Sequence, residues 1–277
     1  MAGSLITAVL SFLCVFGGAV LGNFLRHILP EHHLSTESKE VVIVSTGLIA
    51  TLTAMVLGLL VASANDSFNE FNQSLTRTGA NAIALDRLLA QFGPETQDAR
   101  QLLRQFLLNS AVRMWPEDRA KLEKLATPQE LAALPADLQT ASFALEGLTP
   151  LEAVAPLVAM QGRLLKLAPR DFGQRWLQNR SLKISARMRE DRWRLVEESQ
   201  NSIPAPLLVV LVVWLTILFI TFGLFAPRNA TVSIVLLLCA LSVSGAVFLL
   251  CEMDSPTGGI MKVSSAPMLK ALELLCK

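Results

Sequence analysis

Four long apolar blocks dominate the pattern of hydrophobic and polar positions along this chain. Two lie near the N-terminus and two near the C-terminus, and none contains a Lys, Arg, Asp or Glu residue. A helix needs roughly 20 mostly apolar residues to cross the hydrocarbon core of a bilayer. Each block meets that length, so the pattern predicts four transmembrane helices. The blocks are Leu5–Leu25, Val41–Ala64, Ile203–Phe225 and Thr231–Cys251.

The charged segment between the second and third blocks has a helical pattern. Apolar residues recur at helical spacing from Phe68 to Leu89, which extends the second span out of the membrane until Gly93-Pro94 ends it. Thr127-Pro-Gln-Glu130 and Thr149-Pro-Leu-Glu152 have the form of capping boxes. No alternation of Val, Ile and Thr indicates a sheet. We therefore predict an all-α integral membrane protein with a helical domain inserted between transmembrane helices 2 and 3.

This reading divides the chain into four segments. Residues 1–64 hold transmembrane helices 1 and 2, residues 65–202 form the helical cytoplasmic domain, residues 203–252 form a transmembrane hairpin of helices 3 and 4, and residues 253–277 form a cytoplasmic C-terminal segment. Within the domain, Phe172–Asn201 is expected to be one long charged helix. Pro156 is expected to shorten or kink the helix that contains it.

The cytoplasmic placement of the domain rests on the distribution of basic residues near the span ends. With four spans, both termini and the domain share one side, and cytoplasmic flanks carry an excess of Lys and Arg. Seven such residues flank the domain side and three the other side. On the domain side they are Arg77, Arg187, Arg189, Arg192, Arg194, Lys262 and Lys270, and on the other side Arg26, Lys39 and Arg228.

Composition and motifs exclude several classes of function. Hydrophobic residues make up 52% of the chain and its net charge is +1, so a membrane protein is expected and nucleic acid is not an expected partner. The chain has no P-loop, no GxSxG and no HExxH motif, and its four cysteines form no CxxC pair. The spans contain no acidic or lysine side chain that would relay protons. We expect no enzymatic activity, no cofactor and no bound metal.

The second span carries the most distinct stripe of polar and apolar positions. Hydroxyl and aliphatic side chains recur along one helical face. Such hydroxyls often bond the carbonyl of the preceding turn, which is the structural interpretation. The functional interpretation is a pore wall whose narrowest apolar part, around Leu57 and Leu60, gates by dewetting. The predicted pore-lining residues are Thr46, Ile49, Thr53, Val56, Leu57, Leu60 and Ala64.

The fourth span ends in a motif with two carboxylates. It contains Glu252, Asp254, Pro256 and Gly259. Carboxylates at a membrane exit usually mark the interface and cap the following segment. The alternatives are a cation site and an attachment point for the C-terminal helix.

Several short motifs together resemble the bacterial bestrophin-like family, which is catalogued as a domain of unknown function. The resemblance covers nearly the whole chain and is weakest at about residues 120–170. The motifs in the N-terminal half are Leu57-Gly-Leu-Leu-Val-Ala-Ser-Ala64, Leu85-Asp-Arg-Leu88, Gly93-Pro94 and Trp115-Pro116. Those in the C-terminal half are Ile203-Pro204, Trp214, Phe222-Gly-Leu-Phe225, Asn229, Glu252-Met-Asp254-x-Pro256-x-x-Gly259 and Ser264-Ser265-x-Pro267.

The resemblance implies kinship with bestrophins, which are pentameric calcium-gated anion channels with a pore along the second span. The chain departs from that pattern in two ways. Its second span lacks an aromatic neck, since Phe68 and Phe71 follow the span, and it has no acidic cluster of the calcium-clasp kind. Kinship therefore favours anion conduction and gives no support to calcium gating.

The favoured function is an oligomeric membrane ion channel that conducts anions, with transmembrane helix 2 around the pore. One copy has too few polar span residues to line a conduit, so conduction needs a ring of subunits such as a pentamer. The expected partners are the lipid bilayer, inorganic ions and further copies of the chain, in the cell inner membrane. The alternatives are a non-conducting membrane scaffold or stress-response protein, and an energy-coupling subunit that resembles motor stator proteins.

Cysteine labelling in intact cells tests the predicted topology. A cysteine at Gln97, in the domain, should resist a membrane-impermeant thiol reagent because the cytoplasm is closed to it. A cysteine at Ser35, in the first loop, should react. The reverse labelling pattern would overturn the topology.

Overall fold

The structure is a computed structural model that describes residues 2–29, 36–132, 134, 150–200, 205–227, 229–254 and 261–275. Every regular element in these ranges is a helix, which confirms the all-α prediction. Two of the motif residues, Pro256 and Gly259, and the predicted cap at Thr149 lie outside the described residues. The α-helices are α1 Ala2–Ile28, α2 Thr36–Phe92, α3 Gln97–Met114, α4 Arg119–Leu125, α5 Pro128–Ala132, α6 Pro150–Leu165, α7 Phe172–Gln200, α8 Ala205–Phe225, α9 Ala230–Met253 and α10 Ala266–Leu274.

Four of the described helices are long and apolar enough to cross a membrane. They are α1, the first part of α2, α8 and α9. Helices α1, α2 and α9 each contain one of the apolar blocks, and α8 covers the remaining block from Ala205 to Phe225. The number of predicted spans is therefore confirmed. Helices α1, α2 and α9 extend beyond their blocks because polar residues at a span end can continue a helix into the interface.

Helix α2 is a single helix of 57 residues that combines the second span with its predicted extension. At 1.5 Å per residue it is about 85 Å long. It stops at Gly93, whose φ of 136° is a conformation that side-chain-bearing residues rarely adopt. The following turn, Pro94–Thr96, is a 3-10 helix that leads into α3.

The chain forms two compact units, and α2 contributes to both. The first, here called the spanning unit, comprises Met1–Phe68 and Ser202–Met261. The second, here called the domain, comprises Asn69–Asn201 and Lys262–Lys277. The C-terminal helix α10 therefore belongs to the domain by its contacts, although a 60-residue segment of the spanning unit, Ser202–Met261, precedes it.

Helices α1 and α8 pack so closely in the spanning unit that their backbones touch. A Cβ atom on Gly22 would lie 2.0 Å from the carbonyl oxygen of Ile220, and one on Gly223 would lie 2.1 Å from that of Ala19. Gly18 faces Thr216 in the same way. The paired residue numbers 18 with 216 and 22 with 220 rise together, so the helices run parallel. The Gly18-x-x-x-Gly22 motif therefore serves contact within one chain.

The domain is built around α3, whose buried face includes Leu103, Phe106 and Leu107. Thr127 and Glu130 form the predicted capping box, because the Thr127 N–H donates to Oε2 of Glu130 at 2.8 Å and the Glu130 N–H donates to Oγ1 of Thr127 at 3.3 Å. Helix α6 packs on α7 and runs through Pro156 to Leu165. Pro156 therefore does not end this helix, and the alternative expectation of a kink stays a prediction. Proline removes a single backbone donor, and the buried residues Val154, Leu157 and Met160 on either side hold the helix in place.

A pair of matched glycine substitutions tests the packing of α1 on α8. Gly22→Ala places a methyl group against the backbone of Ile220, and overpacking of this kind costs roughly 1–3 kcal/mol. Gly17→Ala, in the same helix, meets no atom within 4 Å. We expect thermal unfolding in detergent to show a lower midpoint for Gly22→Ala and no loss for Gly17→Ala. Equal midpoints would contradict the close backbone contact.

Candidate functional site

The stripe predicted to line a pore lies against the interior of the spanning unit. Thr53 and Leu60 are each 4% exposed, and Thr46 and Ala64 are buried as well. Ile49, Val56 and Leu57 are half-buried and pack on the same apolar cluster. That cluster includes residues of α1, α8 and α9 of the same chain, such as Val15, Leu215 and Ala240.

This burial weighs against a pore-facing role for the stripe. Oγ1 of Thr53 donates to the carbonyl oxygen of Ile49 at 2.7 Å, so the hydroxyl is satisfied within its own helix. A side chain enclosed by its own subunit cannot face a pore unless the helices rearrange. The assignment of a pore to the stripe stays a prediction, and its periodicity is accounted for by packing within one chain.

Another side of α2 carries a row of small residues that the described residues leave exposed, although Gly47 at one end of the row also lines a cleft with α8 and α9. Within its most apolar stretch α2 is 11% buried, whereas the other spans are 22–28% buried. Cβ atoms added at Gly47 and Gly58 would meet no atom within 4 Å. The small residues recur every three or four positions along one exposed face and are Gly47, Thr51, Ala54, Gly58 and Ala62. Large exposed apolar residues, including Leu48 and Met55, lie beside this row.

In the domain, the segments that contain two of the family-like motifs meet each other across almost 150 residues. The indole N–H of Trp115 donates to the carbonyl oxygen of Val263 at 2.8 Å, and both residues are buried. Nζ of Lys262 lies 2.7 Å from Oε1 of Glu117. A Cβ on Gly79 would lie 2.9 Å from the carbonyl oxygen of Pro267. Residues in and beside two motifs therefore attach the C-terminal segment to the rest of the domain. These motifs are Trp115-Pro116 and Ser264-Ser265-x-Pro267.

Asp118 strengthens the same junction. Oγ of Ser265 donates to its carboxylate at 2.5 Å, and Nζ of Lys121 lies 2.6 Å from it. The hydrogen bonds from Lys121 and then from Ser265 hold the pKa of Asp118 below its ordinary value. The carboxylate therefore stays ionised, and the junction stays intact, at neutral and mildly acidic pH.

The carboxylates at the end of the fourth span differ in their exposure. Glu252 is buried at 1% exposure near the end of α9, and Asp254, just after the helix, is half-buried. No three His, Cys, Asp or Glu side chains come together as a metal site among the described residues.

Among the described residues of the domain, one arginine is buried with a side-chain nitrogen that has no hydrogen-bond partner. Arg192, on α7, is 5% exposed, and its Nε has no hydrogen-bond partner. Burial, followed by the nearby positive charge of Arg113, lowers the pKa of Arg192 to about 10. The guanidinium is still charged at neutral pH. Arg100 shows the usual arrangement instead, since it holds both carboxylate oxygens of Asp86 at 2.6 and 3.0 Å.

Comparison with known proteins places this helical architecture in one family. The bestrophin-like domain matches residues 13–268. The chain is similar to a variant of a bacterial bestrophin homolog from Klebsiella pneumoniae, with a TM-score of 0.62, 14% identity and coverage of 98% of this chain and 97% of the other. For a second variant of a Klebsiella pneumoniae bestrophin homolog the TM-score is 0.61 and the identity 13%, and the match covers 99% of this chain and 98% of the other. For a structure described as a membrane protein the TM-score is 0.61 and the identity 15%, and the match covers 98% of this chain and 96% of the other. No curated protein matches at a significant level.

These findings define an integral membrane protein with the bestrophin fold. The chain belongs to the bestrophin-like family. The family resemblance read from the motifs is confirmed, and membership supports a channel-type membrane protein.

Sequence reasoning missed the two features that distinguish this site. The row of small residues on α2 is difficult to recognise in the sequence because small apolar residues do not stand out in an apolar span. The two glycines in the row, Gly47 and Gly58, were the available signal. Arg192 was counted only as a cation for topology. Its position between Met188 and Leu195, both buried, was the available signal at helical spacing.

Replacement of Arg192 tests whether its charge is compensated in the assembled protein. A buried charge without a partner is destabilising, so Arg192→Met should raise the free energy of unfolding by about 1 kcal/mol or more. Arg194→Met is the control, because Arg194 is exposed and pairs with Glu190 at 3.0 Å, a contact worth about 0.5 kcal/mol at most. Thermal unfolding in detergent measures both. A larger loss for Arg192→Met than for the control would mean that assembly supplies an anionic partner.

Proposed function

We propose that this protein is an ion channel in which several copies form a ring with α2 of each copy facing the common axis. The observation that supports this most is the uncovered row Gly47, Thr51, Ala54, Gly58 and Ala62. A helix without large side chains on one face exposes its backbone, which suits either a pore wall or a close contact between subunits. The interior of one spanning unit is an apolar cluster, so a single copy offers no conduit.

The proposal assigns the pore to α2 but to a face other than the stripe expected from the sequence. The hydroxyl of Thr51 donates to the carbonyl oxygen of Gly47 at 2.9 Å and still lies on the exposed side of the helix. Leu57 and Leu60 point toward the core cluster of their own subunit. A constriction at Leu57 and Leu60 would therefore require α2 to rotate, whereas the small-residue row is open without rearrangement.

Anions are the proposed permeant ions, and family kinship is the main support. The spanning part of α2 contains no acidic residue between Val41 and Ala64 that would repel them. The bias of basic residues toward the domain side supports an inner-membrane protein with a cytoplasmic domain.

Cysteine accessibility in liposomes tests the pore face. In a cysteine-free background that retains flux, Ala54→Cys should be modified by a water-soluble thiol reagent, and chloride flux should fall at least tenfold because the adduct fills the pore. Leu60→Cys, buried in its own subunit, should be protected and keep its flux. Met55→Cys serves as the neighbouring control on the exposed large-residue side of α2.

The other outcomes are equally informative. A loss of flux after modification of Leu60→Cys alone would mean that the stripe expected from the sequence lines the pore. Block at neither position would remove α2 from the pore. Equal flux from unmodified protein and empty liposomes, or a particle mass equal to one chain plus detergent, would count against a channel and favour a scaffold.

A further inference from the structure

The spanning unit contains an apolar cleft of about 490 Å³ between α2, α8 and α9. Its wall includes Ile43, Ala50, Phe222 and Leu236. Thr221, a polar member of the wall, donates its hydroxyl to the carbonyl oxygen of Ile217 at 3.0 Å, so it presents little free polarity. Ile43 and Phe222 are both about half exposed, so the cleft opens to the side of the unit, where lipid lies.

Two basic side chains stand at one end of this cleft. Nζ of Lys39 lies 5.9 Å from the centre of the Phe225 ring, a distance at which a cation is attracted to the ring face. Nη1 of Arg26 donates to the carbonyl oxygen of Ala226. Phe225 and Ala226 are both part of the cleft wall. Each cation therefore lies beside the apolar space, next to its wall.

A second cleft of about 350 Å³, with a lining of mixed polarity, adjoins the apolar one, between α1 and α9. Asn23, His27, Asn229 and Ser233 line it. The two clefts share Ala226, Val232 and Leu236, so they lie on either side of the same short piece of chain. Apolar space, fixed positive charge and hydrogen-bonding groups thus follow one another over a short distance.

We propose that this end of the spanning unit binds one anionic phospholipid. An acyl chain occupies the apolar cleft, the phosphate lies beside Arg26 and Lys39, and the polar headgroup contacts Asn23 and Asn229. Arg26 suits the phosphate because its guanidinium has five N–H donors and uses one of them on Ala226. The proposal does not depend on ion conduction, so failure of the channel assay leaves it untouched.

Native mass spectrometry of the full-length protein with defined lipids tests this site. The unmodified protein should retain one phosphatidylglycerol per chain and prefer it to phosphatidylcholine by roughly tenfold or more, since each cation near an anionic lipid contributes. Lys39→Gln should reduce that preference severalfold, and the Arg26→Gln, Lys39→Gln double variant should nearly abolish it. Arg87→Gln, which removes an exposed cation from the domain part of α2, should leave it unchanged. An unchanged preference in Lys39→Gln and the double variant would overturn the proposal.

The acyl-chain part has its own pair of variants. Ala50→Phe fills the apolar cleft and should lower the occupancy of both lipids, whereas Val44→Phe, at an exposed position of α2 outside the cleft, should not. If Ala50→Phe has no effect and inorganic phosphate displaces the lipid, the site takes free phosphate and the lipid proposal is wrong. If Ile43→Cys, in a cysteine-free background, forms a disulfide between two copies, another subunit covers the cleft and the proposal is also wrong.

Discussion

The arrangement of the spanning unit depends on the backbone contact between α1 and α8. In a bilayer the hydrophobic effect does not drive one apolar helix onto another, so close packing has to provide the attraction. Gly18, Gly22 and Gly223 allow that packing by leaving no side chain between the helices. Helix α9 also packs on α1, and α2 contributes Leu60 and Ala64 to the core through one narrow stripe. The tight pair therefore leaves α2 at the edge of the unit, where most of its surface is open.

The position of α2 at the edge of the unit limits what its exposed side can contact. A helix at the periphery of its own unit offers its free side to lipid, to another subunit or to a water-filled pore. Small residues distinguish these uses, because lipid contact does not require them and close approach does. A side chain at Gly47 or Gly58 would meet no atom within 4 Å. Glycine lowers the stability of a helix, and packing among the described residues does not explain its use at these two positions. A neighbouring copy or a conduction pathway would explain it.

The sequence predicted the positions of the helices far better than the contacts that the helices make. Span number, the long α2 and the Thr127–Glu130 cap all follow from local patterns, namely apolar runs, helical periodicity and a four-residue motif. The pore stripe followed from the same periodicity, but periodicity shows only that one face of a helix differs from the other. It cannot distinguish a pore from the interior of a subunit, and Thr53 with its bond to Ile49 fits both. Contacts such as Trp115 with Val263 join residues 148 positions apart, and no local pattern encodes them.

Two features of the spanning unit remain without partners among the described residues, and each needs a different kind of partner. The small-residue row on α2 calls for close contact with a helix or water, and the paired clefts call for an amphiphile. An assembly in a bilayer would supply both partners at once, which is why these features together favour a ring of subunits in lipid over a solitary four-helix scaffold.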